Sequence, residues 1–145
     1  TVGDNDNDTT FSGIIRDGGA GGALSLTKTG TGTTTLSGDN SYNGGTTITA
    51  NGGTLELQHQ SAAGTGLITQ ADGNSLLRFN TTGTIANAMS IFNVESLQDV
   101  TLSGAKTLNN ATYNIAAATT TTESGNLSGA GGVTKEGDGT LILSS

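Results

Sequence analysis

The sequence predicts an all-β solenoid, a coil of short strands stacked as rungs, and three observations carry that prediction. Between Gly21 and Leu57 apolar or β-branched residues recur at alternate positions (Leu24/Leu26, Thr34/Leu36, Leu55/Leu57, with Thr47 and Thr49 around Ile48), the period of a strand with one buried face. The dividers between these runs are Gly-Thr-Gly, Gly-Asp-Asn and two Asn-Gly-Gly sequences, residue types that adopt positive φ or close tight turns. Finally, Val133 to Ser144 overlies Leu26 to Ser37 without a gap at a constant offset of 107, with the Thr-Lys pair, both glycines and the closing Leu-Ser in register. A strand-turn unit that recurs in this way buries its apolar face only against its neighbours, as stacked rungs do.

Composition agrees. The 145 residues include no Pro or Cys, 24 Gly, 32% hydrophobic and 3% aromatic residues, too little bulk for a thick globular core and too little charge, at 12%, for a disordered polyelectrolyte. Threonine, at 27 residues the commonest type, fits a pleated, half-wet surface. A net charge of −7 lacks the electrostatic footprint of a nucleic-acid binder and disfavours anionic membranes. No apolar run approaches 18 residues, so no transmembrane helix is predicted, and no signal peptide is readable; the chain reads as a fragment of something longer. An antiparallel sandwich or barrel is the competing architecture, but it lacks its usual aromatics and hairpin symmetry.

Residues Leu26 to Leu57, LTKTGTGTTTLSGDNSYNGGTTITANGGTLEL, resemble the passenger-associated transport repeat of bacterial autotransporters. Gly30, Gly32, Leu36, Ser37, Gly38, Asn40, Tyr42, Gly44, Gly45, Thr46, Thr47, Ile48, Gly53, Thr54 and Leu55 match its pattern; Thr34 stands where leucine is usual, and one extra residue falls near Ala50 to Gly52. Repeat copies are placed at 11–57 and at 126–145, the second truncated before its Asn-Gly-Gly corner, within a single segment over 1–145. The resemblance implies a right-handed parallel β-helix of about six rungs, roughly 30 Å long at the inter-strand spacing. It further implies a surface or secreted passenger attached to a C-terminal outer-membrane β-barrel translocator outside this fragment. The turn glycines Gly30, Gly32, Gly44, Gly45, Gly137 and Gly139 are the expected structural positions, with Leu24, Leu26, Leu36, Ile48, Leu55, Leu57, Val133, Leu141 and Leu143 facing inward.

Taken in order, Asp4, Asp6 and Asp8 alternate with Asn5 and Asn7. An EF-hand register from Asp4 would put Thr9 at the glycine position and Ile15 at the glutamate position, so a solvated corner capping its own turn is expected and no metal. Phe11 to Ile15 reads as a strand. Gly18, Gly19, Gly21 and Gly22 form a flexible corner without a phosphate-binding signature. Tyr42 is expected to pack under the corner at Asn43-Gly44-Gly45. His59, the single histidine, supplies neither a zinc site nor a catalytic triad and reads as surface loop. Leu67–Gln70, Leu76–Phe79, Thr84–Ala88, Met89–Val94 and Tyr113–Ala117 read as strands, with one possible helical turn near Ala86 to Met89. Glu95 and Asp99 read as solvated acids, and Thr119 to Thr122 as an outward strand or loop. None of Arg16, Lys28, Arg78, Lys106 and Lys135 has an acid cluster readable beside it.

Three functions compete on this reading. The first is a structural passenger stalk that aids its own secretion. The second is an adhesin-type module whose outward Thr, Asn and Asp side chains recognise glycans or a host surface. A β-helical polysaccharide lyase or hydrolase is third, and the missing carboxylate pair argues against an enzyme. No cofactor is expected, and end-to-end self-association or a frayed last rung is expected of a stack whose terminal rungs are open.

Overall fold

The computed structural model describes residues 1–19 and 21–144, and every strand pairing in it is parallel. In chain order the first strands are β1 (Thr9–Phe11), β2 (Leu26–Lys28), β3 (Thr33–Leu36), β4 (Thr46–Ile48), β5 (Thr54–Leu57), β6 (Ile68–Gln70), β7 (Leu76–Phe79) and β8 (Gly83–Ile85). They continue as β9 (Met89–Ser96), β10 (Val100–Leu102), β11 (Lys106–Ile115), β12 (Thr120–Glu123), β13 (Leu127–Ser128), β14 (Val133–Glu136) and β15 (Thr140–Leu143). No helix occurs among the described residues, so the turn expected near Ala86 is not helical, and the first strand lies at Thr9–Phe11 rather than reaching Ile15.

The pairings resolve into three ladders, one per face of a β-solenoid of about six turns. The first face runs β2, β4, β6, the start of β9, the start of β11 and β13, with Val2 bridged to Lys28 below it. The second runs β1, β3, β5, β7, the end of β9, the end of β11 and β14. The third runs β8, β10, β12 and β15. Strands β9 and β11 serve two faces because each passes through a corner; the register shifts between Leu108 and Thr112, where Asn110 sits at φ 55°. Asn tolerates that left-handed conformation better than most side chains.

Alternation decides the interior. Leu36, Leu57, Phe79, Ser96 and Ile115 stack in one inward column, and Thr34, Leu55, Leu77, Val94 and Tyr113 in another, all buried. Of the nine side chains expected inward, Leu26, Leu36, Ile48, Leu55 and Leu57 are buried and Leu141 is partly so. Leu24 departs because it precedes β2 and lies in the corner, 41% exposed. Val133 and Leu143 do share register with buried Ala111 and Glu123, yet both stay exposed because no described rung lies above them. The run Thr119 to Thr122 is not an outward strand: Thr121 and Glu123 point inward and are buried.

Candidate functional site: capped corners and outer columns

The corner after β2 is built from a buried lysine. Lys28 points inward, and its Nζ donates to the carbonyls of Thr29 at 2.6 Å, Gly30 at 2.7 Å and Gly52 at 2.8 Å. Burial pushes this ammonium below its ordinary pKa, opposed by the charges of Asp6 and Asp8. Gln70, two rungs along the same column, does the same work without charge. Its Nε2 donates to Ser75 and Asn93 carbonyls, and its Oε1 accepts from the amides of Phe92 and Asn93. A polar residue at the last inward position before a corner thus satisfies main-chain groups that the sharp bend leaves unpaired. Lys135, the counterpart of Lys28 in the second repeat copy, donates to Glu136 O and Gly137 O.

The two copies lie on different faces. Leu26 to Leu36 spans the corner from the first face to the second, whereas Val133 to Leu143 spans the corner from the second to the third. The repeat is therefore a strand–corner–strand unit and not a whole rung. Among the expected corner glycines, Gly30, Gly45 and Gly137 have positive φ (69°, 86° and 74°). Gly32, Gly44 and Gly139 do not; a Cβ on any of them would run into backbone of the adjoining turn.

The N-terminal aspartates cap the next rung rather than their own turn. Asp6 Oδ1 accepts from the Thr31 amide and Asp8 Oδ1 from the Thr33 amide, both at 2.7 Å. No group of three His, Cys, Asp or Glu side chains able to hold a metal ion occurs among the described residues. In the second copy the place of Asp6 (φ 58°) is taken by Ala118 (φ 62°), which can neither cap nor easily adopt the left-handed conformation. Ala118→Asn is expected to raise stability by about 1 kcal/mol, read as a higher urea midpoint. An unchanged or lower midpoint contradicts the equivalence.

Tyr42 packs under its corner as expected: it is fully buried, with its hydroxyl 2.6 Å from Thr46 Oγ1. A second buried tyrosine belongs to a group that alternation alone did not reveal. Tyr113 OH donates to Glu123 Oε1 at 2.7 Å, and Lys106 Nζ lies 3.1 Å from Glu123 Oε2. Lys106 also donates to the carbonyls of Leu102 and Gly104. Burial pushes Lys106 below and Glu123 above their ordinary values, each opposed by the other's charge. The Tyr113 phenol is held far above its usual range by burial and then by the Glu123 carboxylate.

A raised folded-state pKa makes the Tyr113 contribution complete below the unfolded value near 10 and lost as pH rises beyond it. Stability should therefore fall above about pH 10 with a slope near 1.4 kcal/mol per pH unit from this group. Tyr113→Phe should remove that part of the slope in paired urea titrations. Identical alkaline slopes for both proteins would show that Tyr113 is not protected.

The outward columns differ by face. On the second face Glu56, Arg78 and Glu95 are consecutive, with Arg78 Nε 2.5 Å from Glu95 and Nη1 3.3 Å from Glu56. Gln58 and Asn80 also donate to Glu56. Burial would raise the Glu56 pKa, but these hydrogen bonds and the Arg78 charge hold it below its ordinary value. Arg78 and Lys106 thus have acid partners, contrary to the sequence reading, because Glu56 and Glu95 come from neighbouring rungs and Glu123 from the far end of the turn that Lys106 begins. Glu95 belongs to this ladder, whereas Asp99 accepts from the Thr120 amide, so the two do not form an acid pair. His59 lies at a bend, where its Nδ1 accepts from the Ser61 amide and stands 3.8 Å from Asp39 of the preceding rung. On the first face Thr27, Thr47, Thr69, Ser90, Thr107 and Ser128 form one continuous hydroxyl column.

Residues 26–57 and 133–145 match the family described as passenger-associated-transport-repeat. The chain is 40% identical over 123 residues to the adhesin BmaC autotransporter of Brucella suis biovar 1 (strain 1330), an alignment that covers 84% of this chain. It spans only 3% of that relative's length. No solved structure matches.

Proposed function

The chain is a segment built on autotransporter passenger repeats, and from that premise we propose that it acts as a surface stalk whose regular corners start the folding of the passenger outside the cell. A passenger of this kind stands at the bacterial surface or is secreted from it. The observation that carries the proposal is the stitching of Gly21 to Leu57, where Lys28, Asp6 and Asp8 tie the corner after β2 to the turns on either side of it. A chain delivered extended through a pore folds without a cytoplasmic energy source, and a solenoid can nucleate on one well-formed set of rungs and propagate. Each added rung then opposes back-sliding. The family implies a C-terminal outer-membrane β-barrel as the partner in the full-length protein. The role is structural and requires no catalytic step. Deleting Gly21 to Leu57 from the full-length protein should lower the passenger accessible to protease on whole cells; equal surface yield overturns the role.

A second reading, adhesion to glycans or a host surface, is favoured by the first-face hydroxyl column, a repeating polar edge about 4.8 Å from rung to rung. For the 145-residue chain taken alone, the inward but uncovered Val133 and Leu143, and Phe11 at the opposite end, favour end-to-end pairing of copies. Sedimentation velocity over a concentration series checks it, and a monomer at every concentration refutes it.

A further inference from the structure

The third face has no regular strand between Ser37 and Gly66, and the irregular path leaves a groove of about 500 Å³ between residues 39–41, 60–65 and 84–87. That volume lies within the range of small-ligand sites. Its walls carry Asp39, Ser41, Gln60, Thr65 and Thr84, all exposed, and the half-buried Ser61. The floor is rigid. Asn40, buried beneath it, donates to Ala62 O at 2.6 Å and accepts from the Ile15 amide at 2.7 Å. Asn87, also buried, donates to Gly64 O at 3.1 Å and Gly66 O at 2.7 Å. The Thr65 amide is held by Tyr42 O at 2.9 Å. Stacking the rungs requires none of the exposed side chains, but the buried amides fix the backbone that presents them, which lowers the cost of ordering a site on binding.

The wall chemistry selects a ligand class. A carboxylate accepts from two donors, the hydroxyls of Ser and Thr both donate and accept, and the Gln60 amide does both from separate atoms. A sugar, whose hydroxyls each donate and accept, can use all of these, while the exposed Ala86 offers a small apolar patch to its C–H face. No lysine or arginine lines the groove, and the −7 net charge repels anions. We propose that this groove binds one or two units of a neutral glycan, with Asp39, Gln60 and Thr84 as the principal contacts. The inference deepens the adhesive reading and rests on it for the ligand class; the hydroxyl column lies on another face, so the two sites separate by mutation.

The experiment is an amide chemical-shift titration of the 145-residue chain with neutral trisaccharides of glucose, galactose and mannose, and with the galacturonic acid trimer. At least one neutral sugar should saturate with a Kd of about 1 mM, shifting amides at 39–41, 60–65 and 84–87, with the acidic trimer about tenfold weaker. Asp39→Asn and Gln60→Ala should each weaken binding about tenfold and leave the rest of the spectrum unchanged. The double variant Thr47→Val/Thr69→Val should bind as the parent does. Shifts confined to the hydroxyl column and abolished by Thr47→Val/Thr69→Val would overturn the groove while leaving the adhesive reading standing. No shift with any of the three neutral sugars at about 10 mM would overturn both.

Discussion

Replacing Gly44 and Gly45 together with valine is expected to destabilise the chain by about 3–5 kcal/mol and to cut the amount of passenger displayed by cells. Two different physical effects act at this one corner. Gly45 sits at φ 86°, where a β-branched side chain is strained, and its Cβ would stand 2.9 Å from Leu67 O on the following turn. Gly44 has no unusual φ; its Cβ would instead meet Leu24 O and Ser25 Oγ of the preceding turn. The corner also carries three bonds between rungs: Gly44 N to Leu24 O at 2.9 Å, Leu26 N to Gly45 O at 3.0 Å and Thr46 N to Leu67 O at 2.8 Å. Pushing the turns apart therefore breaks the ladder on both sides. Urea denaturation of the chain reads the first effect, and protease accessibility on whole cells reads the second. A clear loss of stability with undiminished surface yield would separate the corner from secretion and defeat the folding-nucleus role.

The second large effect lies inside the coil. Lys106→Met leaves the buried Glu123 carboxylate without its cation, and Glu123→Gln leaves the Lys106 ammonium with main-chain carbonyls alone. Breaking one side of a buried pair costs about 3–5 kcal/mol, whereas removing both charges is often near neutral. Each single variant should lose that much, and Lys106→Met/Glu123→Gln should return to within about 1 kcal/mol of the parent. The amide that Glu123→Gln introduces still offers Tyr113 an acceptor, so the coupling is not obscured by a stranded phenol. Urea midpoints for the four proteins complete the cycle. Additive losses would show that the two groups do not act as a pair.

The stacked-strand architecture was legible because alternation and glycine-bearing dividers are local signals. Leu36, Ile48, Leu55 and Leu57 needed nothing more to be placed inside. Polar partners were not legible, because a rung's neighbour in space lies about 17 to 26 residues away in the chain and the offset changes from turn to turn. Arg78 meets Glu56 and Glu95 through those variable offsets, and Lys106 meets Glu123 where one turn of the coil closes on itself. Leu24 and Thr121 failed for a local reason. Leu24 precedes β2 in a corner, where alternation no longer applies, and the run Thr119 to Thr122 holds no apolar residue to mark its inward side. The lysine caps had a readable signal that only the structure interprets: Thr-Lys at the end of a strand, followed at once by a glycine-containing corner.

The one-face displacement between the two repeat copies bears on how such a chain can lengthen. In a three-faced coil, a duplicated cassette need not be a full turn, provided it brings its own corner. The Lys28 and Lys135 units each carry the strand, the bend and the ammonium that neutralises the bend's carbonyls. Recombination can therefore insert a cassette on any face, and the phase of the coil is restored whenever the number of added faces reaches a multiple of three.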